Sequence, residues 1–474
     1  MELPIYLEQG KAMYIQIYEQ IKTAVLHKIL VPQSKLPSKR LLATQLGVSV
    51  HTVREAYDQL LAEGYIMSRE RSGYFVSAFE QEWQPAASNK PNIESTESLN
   101  QQVLIDFNSG HVDATLFPYH IWKRLIRQHI EEASLVNSPW QGEWTLRTEI
   151  SKYVGRSRGV QCEESQVFLY SGTQMQLQDL CQFFGLDICV GMEEPGFIRV
   201  KAVFEKLRLK VFPIQVDHHG VTIPIEKLDL LYTTPAHQFP LGMIMPLERR
   251  MGLLKWANEQ NSLIIEDDYD SEFRFDGLPI PSFAQIDQLQ HVIYFGTFSK
   301  SLIPSMRMSY MILPKSLVEA FEKFNRHQKS TVSRVEQLTV ADFMKEGYFE
   351  RHLAKMRTAY RKKHLTLLQA IETYLPKEFE IIGENSGLHI VLKLPHYLTE
   401  QRAIQKAIDL GIRIYPASIS YIEEPNTHMV ILGYGGLTND EIREGIFKLA
   451  ETWLYNCPLV PHIRTNDKSA SPRL

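Results

Sequence analysis

Hydrophobic residues recur at helical spacing at Tyr14, Ile17, Ile21, Val25 and Ile29, which predicts an amphipathic first helix ending before Pro32. A second helix is expected after "LPS", where Ser38 is placed to cap free backbone N–H groups, and it stops at Gly47. A third runs from Ser49 to Gly64. Its stripe of Val53, Ala56, Tyr57, Leu60 and Leu61 seeks a core and leaves His51, Thr52, Arg54 and Glu55 on the outer face near its start. Helix, tight turn through Gly47 and Val48, then helix is the geometry that lowers the second helix into a major groove with its first residues nearest the bases. "YIMSRERSGYFVS" follows as a hairpin with Gly73 at its turn, where Arg69 and Arg71 are placed to meet phosphates or a minor groove.

The pattern then breaks. "QEWQPAASNKPNIESTESLNQQ" has neither a helical nor a strand period and reads as a flexible linker over residues 79–102. Beyond it, residues 103–460 alternate apolar strand-like runs with helical patterns, and 461–474 form a polar tail. Residues 11–78 are therefore expected to be one domain and 103–460 another. The chain of 474 residues is 44% apolar and 22% charged, a globular composition too long for one core. Its formal net charge of −4 assigns any nucleic-acid contact to a local patch. Cys162, Cys181, Cys189 and Cys457 show neither metal spacing nor a paired framework, so no metal is expected. With no leader-like or membrane-spanning run, a cytoplasmic protein with reduced thiols is expected.

The candidate chemistry lies where apolar strands end. "YFGTFSKSLIPSMR" places Lys300 among hydroxyls, with Arg307 seven positions on. A lysine that forms an imine with pyridoxal phosphate needs a site where its amine can lose a proton, with hydroxyls such as Thr297 and Ser299 and a bidentate arginine to hold the phosphate. "SLIIEDDYDSEF" runs an apolar strand into a carboxylate cluster. Asp267 or Asp268 is placed to keep a pyridine nitrogen protonated, and Tyr269 to reach the cofactor's phenolic oxygen. "VFLYSGTQMQLQDLC" passes from strand through Ser171, Gly172, Thr173 and Gln174 into a helix whose free N–H groups suit an anion. "EEPGFIRV" offers Phe197 to stack on a ring.

"LPSKRLLATQLGVSVHTVREAYDQLLAEGYI" with "GYFV" resembles the winged helix of the GntR family. That resemblance implies DNA contacts by Arg40, Ser49, His51, Thr52 and Arg54. Val50 stands where the family often has arginine, so no operator sequence carries over. Residues 103 to 455 resemble fold-type I aminotransferases. This implies Lys300 as the Schiff-base lysine, Asp267 as the pyridinium partner, Tyr269 as the ring-oxygen donor and Arg307 as the phosphate arginine. It also implies Gly172, Thr173 and Gln174 as the phosphate cradle and Phe197, often tyrosine, as the stacking ring.

The two together, with "TTPAHQFPLG" and "EDDYDSEF", resemble the MocR/GabR subfamily of bacterial transcription regulators. The expected architecture is an α+β winged helix-turn-helix domain followed by an α/β fold-type I aminotransferase-like domain that binds pyridoxal phosphate. The implied partners are double-stranded operator DNA, a small-molecule effector (pyridoxal phosphate or an amine or amino acid) and a second copy in a domain-swapped homodimer.

Two departures favour a regulator over an enzyme. Phe239 stands where aminotransferases carry asparagine. In the segment that usually supplies a carboxylate-binding arginine there is only Arg413, while Ser418, Ile419, Val430 and Ile431 occupy the expected place. Loss of a bidentate carboxylate partner weakens binding by roughly 2–5 kcal/mol. Arg199 is a candidate for an acidic effector, and the missing arginine tilts the reading toward sensing the vitamer and control of vitamin B6 synthesis. The alternatives are an active aminotransferase with an attached DNA-binding module, and a DNA-binding protein with an empty second domain.

Overall fold

The computed structural model describes residues 3, 5–8, 11–78 and 103–454, without 134, 276–280, 289, 385–386 and 424–427. The expected linker 79–102, the tail 461–474 and residues 455–460 lie outside the described residues. The chain divides into two compact units, Met1–Leu99 and Asn100–Leu474.

In the first unit, α1 (Met13–Leu26), α2 (Lys39–Leu46) and α3 (Val50–Ala62) precede a hairpin of β1 (Ile66–Arg69) and β2 (Gly73–Val76). Ile17, Ile21, Leu42, Val53, Ala56, Tyr57, Leu60, Ile66 and Val76 are buried together. Ser38 accepts from the Leu41 N–H at 3.2 Å, and Gly47 closes α2 in a left-handed conformation with φ 66°. Ser49 caps α3 by accepting from the Thr52 N–H at 3.1 Å. The Tyr57 hydroxyl donates to the Pro37 carbonyl at 2.9 Å and fixes α3 against the chain entering α2.

Two details differ from the sequence reading. The first helix ends at Leu26, so Ile29 falls outside it and is exposed, as is Tyr14, while Leu30 takes the buried place. Gly73 is not the apex of the hairpin: it pairs with Arg69 as the first residue of β2, and Arg71 holds the left-handed turn with φ 57°.

The second unit opens with β3 (Ile105–Asp106), α4 (Tyr119–Ala133) and α5 (Trp144–Arg158). Its main sheet contains β4 (Val167–Tyr170), β5 (Cys189–Glu194), β6 (Lys210–Asp217), β7 (Gly220–Val221), β8 (Leu230–Thr233), β9 (Leu263–Asp268), β10 (Val292–Thr297) and β11 (Ser309–Ile312). The spatial order is β4-β11-β10-β9-β8-β5-β6-β7. From β10 to β6 all neighbours are parallel, whereas β11 runs antiparallel to both β10 and β4. Near-continuous apolar strands fit a sheet covered on both faces. Ile264 and Tyr294 join one core while Ile265 and Phe295 join the core on the other face. A smaller antiparallel sheet, β12 (Glu380–Ile382), β13 (His389–Lys393), β15 (Tyr415–Pro416) and β16 (Met429–Gly433), packs in a third core with the helix Tyr348–Tyr374, while β14 (Ile412–Arg413) pairs with β3.

The parallel register has one consequence for function. The residues leaving β4, β5, β8, β9 and β10 all emerge at the carboxyl rim of one sheet, where open α/β sheets bind ligands. Among the described residues, no helix is long and apolar enough to cross a membrane.

Ile21 is 1% exposed in the core beneath the helix-turn-helix. Ile21→Ala is expected to destabilise that unit by about 2–5 kcal/mol. Hydrogen exchange on the full-length chain should show faster exchange of the α3 amides with little change in β8 to β10.

Candidate functional sites

In the first unit, Arg40 is exposed on α2, and His51 and Arg54 are exposed on the first turns of α3. Ser49 and Thr52 share a hydroxyl contact of 2.9 Å in addition to the cap, so both are positioned before any ligand arrives. Glu55 lies 3.5 Å from His51. Arg69 and Arg71 are exposed on the hairpin, and the Arg69 guanidinium lies 4.5 Å from the centre of the Phe75 ring. A helix start bearing His51, Thr52 and Arg54 beside an arginine-bearing wing is a cationic, hydrogen-bonding surface suited to duplex DNA.

In the second unit the sheet rim gathers most of the candidates. At the end of β9, Asp267 is 3% exposed and accepts a short hydrogen bond from the Tyr232 hydroxyl on neighbouring β8. Its other oxygen, Oδ1, has no hydrogen-bond partner among the described residues. Burial raises its carboxyl to about 7, against the lowering effect of the Tyr232 hydrogen bond. Asp268, equally eligible in the sequence, is already committed. Arg158 at the end of α5 bonds it at 2.5 Å and Tyr294 donates to it at 2.6 Å. The open carboxylate is therefore that of Asp267.

Lys300 follows β10, is half-buried, and donates to the carbonyl of Ser109. Burial lowers its amine to about 8; the Asp270 charge acts against that shift and the Arg199 charge adds to it. Thr297 and Ser299 hold one another, with Thr297 Oγ1 to Ser299 Oγ at 3.1 Å and the Ser299 N–H donating to Thr297 Oγ1 at 3.1 Å.

Gly172 and Arg307 are brought into contact. Gly172 leaves β4 at φ 117° and caps α6 (Thr173–Phe184), and a Cβ there would overlap the Arg307 guanidinium. Arg307 itself adopts the left-handed region at φ 50°. The backbone N–H groups of Thr173 and Gln174 at the start of α6 and this guanidinium form a corner suited to an anion. Gln174 is exposed, and its side-chain amide donates at 3.4 Å to the carbonyl of Arg199, which leaves its backbone N–H as its contribution to the helix start.

Phe197 caps α7 (Ile198–Lys206), and its ring meets Phe239 edge-on at 4.9 Å between centres. Arg199 is exposed two residues on. The Tyr269 hydroxyl is already placed: it lies 3.0 Å from both the carbonyl oxygen and Nδ1 of His237. The turn carrying Phe197 is tied to the smaller sheet's side of the cleft. Glu194 accepts the N–H groups of Ile422 and Glu423 at 2.7 and 3.1 Å, and Gly196 donates to Ser420 O at 2.8 Å. Arg413 is exposed on β14, and Ser418 spends its hydroxyl on Glu400 at 2.5 Å.

The sequence reading missed Tyr232, Arg158 and Tyr294, which sort the two adjacent aspartates, and His237, Asp270 and His389, whose ligand-type atoms lie within 4.8 Å of one another. His237 sits inside "TTPAHQFPLG" and Asp270 inside "EDDYDSEF", so both were within motifs already singled out.

Comparison with known proteins agrees with this division. Residues 13–76 match the family described as bacterial regulatory proteins, gntR family, and residues 102–446 match aminotransferase class I and II. The chain is 44% identical over 450 residues to the HTH-type transcriptional regulator YhdI of Bacillus subtilis, covering 93% of this chain and 96% of that one. It is 32% identical over 464 residues to the probable rhizopine catabolism regulatory protein MocR of Rhizobium meliloti, covering 93% and 94%. The second unit shares the fold of Pyrococcus horikoshii kynurenine aminotransferase, solved with PMP. The TM-score is 0.67 and the identity 24%, over 74% of this chain and 91% of that one.

The raised carboxyl of Asp267 has a stability consequence. In protein without a cationic partner at this site, its folded value of about 7 exceeds the ordinary 3.8, so its contribution is full below pH ~4 and is lost as pH rises toward 7. That loss reaches up to about 4 kcal/mol. Asp267→Asn is expected to flatten the fall in urea midpoint between pH 5 and pH 8, leaving the part that comes from Glu272, also raised to about 7 by burial.

Proposed function

Because the chain belongs to the MocR/GabR subfamily of gntR-family transcriptional regulators, with a winged helix-turn-helix and an aminotransferase class I and II domain in one polypeptide, we propose that its second unit holds pyridoxal phosphate at Lys300 and that occupancy of this site sets DNA binding by the first. The observation that carries the reading is the buried oxygen of Asp267 that meets no hydrogen-bond partner among the described residues. It is a poor arrangement for an apolar occupant and a good one for a protonated ring nitrogen. The cofactor supplies an aldehyde that condenses reversibly with a primary amine.

The chain's own residues do the rest. Lys300, with its amine lowered to about 8, has an appreciable uncharged fraction at neutral pH and is therefore nucleophilic. Arg307, Gly172 and Thr173 bind the phosphate at the start of α6, with Thr297 and Ser299 as hydroxyl donors. Asp267, braced by Tyr232, holds the ring proton. Phe197 would help hold the ring, and Tyr269 would support its oxygen side through His237. Gln174 would add its backbone N–H at the same helix start, its side chain bridging to the Arg199 carbonyl.

The effector is pyridoxal phosphate itself or a primary amine or amino acid that exchanges with Lys300. Arg199 is placed for an acidic group on it. Phe239 beside Phe197, and Ser418 and Ile419 at the sequence positions where an arginine is expected, favour sensing over turnover of α-amino acids. With a homodimer presenting two helix-turn-helix units, two half-sites would be read together. An effector changes that affinity only by as much as it prefers one arrangement of the units.

Titrating pyridoxal phosphate and candidate amines into a promoter-binding assay tests the reading. Wild-type protein should acquire a visible absorbance and a changed DNA affinity, and Lys300→Ala should show neither. Turnover of many amino acids with a keto acid at useful rates would instead indicate an aminotransferase. In the same assay Arg54→Ala should weaken binding by about 1–3 kcal/mol if it reads a base, or reduce the salt slope by about one if it meets a phosphate.

A further inference from the structure

Among the described residues the Lys300 side chain makes one hydrogen bond, and its acceptor is the backbone carbonyl of Ser109. That bond is also the one hydrogen bond of Ser109. Lys300 leaves the main sheet after β10, whereas Ser109 lies just after β3, in a stretch attached to β14 and β16.

On either side of Ser109 the chain is fixed. The Phe107 N–H donates to the Arg413 carbonyl at 2.9 Å, and the Phe107 carbonyl accepts the Gly433 N–H at 2.8 Å. The Tyr415 hydroxyl accepts from Asn108 Nδ2 at 2.7 Å and donates to Asp106 Oδ1 at 2.9 Å. Further on, the Asp113 N–H donates to the Tyr360 hydroxyl at 3.0 Å, and its carboxylate accepts from Lys363 at 2.7 Å. A Cβ on Gly433 would overlap the backbone of Asn108 and Ser109, so the glycine is what lets the stretch lie against β16.

Between these anchors the turn is held by less. The Gly110 N–H donates to Asn108 Oδ1 at 2.7 Å and the His111 N–H to the Asn108 carbonyl at 3.2 Å, both bonds within the turn itself. Its tie to the main sheet is the Lys300 ammonium, a charge-assisted donor. Condensation with an aldehyde removes that donor. The ammonium gives one proton to solvent, its other two hydrogens leave with the aldehyde oxygen as water, and the nitrogen is left doubly bonded to carbon with no hydrogen for Ser109.

We propose, on the reading that Lys300 takes up the aldehyde, that the turn Asn108–His111 is the element that responds to occupancy: the free amine ties it to the main sheet, and the condensed amine releases it. β3, directly before the turn, is the first element after the linker expected over 79–102, so the release acts on the chain that joins the second unit to the first. A primary amine that takes over the aldehyde carbon passes its two hydrogens to the Lys300 nitrogen and restores the tie. The aldehyde alone and the aldehyde with an amine are thereby read as opposite states.

Hydrogen exchange on the full-length chain, followed in peptides covering residues 104–113, tests this. Lys300→Met, similar in length and without N–H donors, should speed exchange of the Gly110 and His111 amides at least about threefold in the absence of cofactor. Loading wild-type protein with pyridoxal phosphate should do the same, and each primary amine that then shifts the visible absorbance should slow these amides again. Asp267→Asn, at the same rim, keeps the Lys300 bond and should leave them at the wild-type rate. Exchange in Lys300→Met no faster than in wild type overturns the proposal, as do an equal rise in Asp267→Asn and an amine that shifts the absorbance without slowing exchange. An unchanged or slower rate on loading also overturns it, and decides alone if Lys300→Met does not fold. Wild-type protein that takes up no pyridoxal phosphate would defeat the reading under Proposed function, while the Lys300→Met comparison would still show whether the amine ties the turn.

Discussion

A carboxylate buried at the end of a central strand, with one oxygen met by a phenol and the other by nothing in the described chain, is the constraint around which the second unit is organised. Removing an anion from water is costly, and a chain that keeps one there must hold its surroundings rigid. Here the rigidity comes from the parallel register. β9 lies between β8 and β10, so Tyr232, Asp267 and the turn leading to Lys300 are fixed by the same ladder of backbone hydrogen bonds. The remaining rim segments arrive by the same logic, each delivered by a strand running in the same direction.

The first unit was legible because its determinants are local. A cap at Ser38, a left-handed Gly47, a second cap at Ser49 and an apolar stripe on α3 lie within a few residues of one another. Errors there were of one or two positions: Leu30 rather than Ile29 reaches the core, and Arg71 rather than Gly73 lies between the two strands. In the second unit the strand-end motifs were visible, but their division of labour was not. Asp267 and Asp268 are neighbours of identical chemistry, and they are told apart by an arginine 110 residues earlier in the chain. The pairing of His237 with Asp270 joins two separate motifs, and its enclosure by Gly387 comes from a third place that carries no chemical group at all.

The two units have separate hydrophobic cores, so chemistry in one need not perturb folding in the other. That separation suits a regulator, in which a small molecule must alter an equilibrium between arrangements rather than the stability of the parts. The cleft retains features of a reactive amine site: a lowered lysine, an anion-binding helix start and an unmet carboxylate. At its far end, Phe239 packs on Phe197, and the Ser418 hydroxyl is consumed by Glu400.

Gly172 and Arg307 occupy overlapping space, one by lacking a side chain and the other by filling the vacancy. Their histories are therefore coupled. A side chain at position 172 would push the Arg307 guanidinium aside, and even with position 307 shortened the backbone at φ 117° would still strain any residue but glycine. The anion corner is therefore lost by a change at either position, and once position 172 has grown, restoring the arginine alone would not bring the corner back.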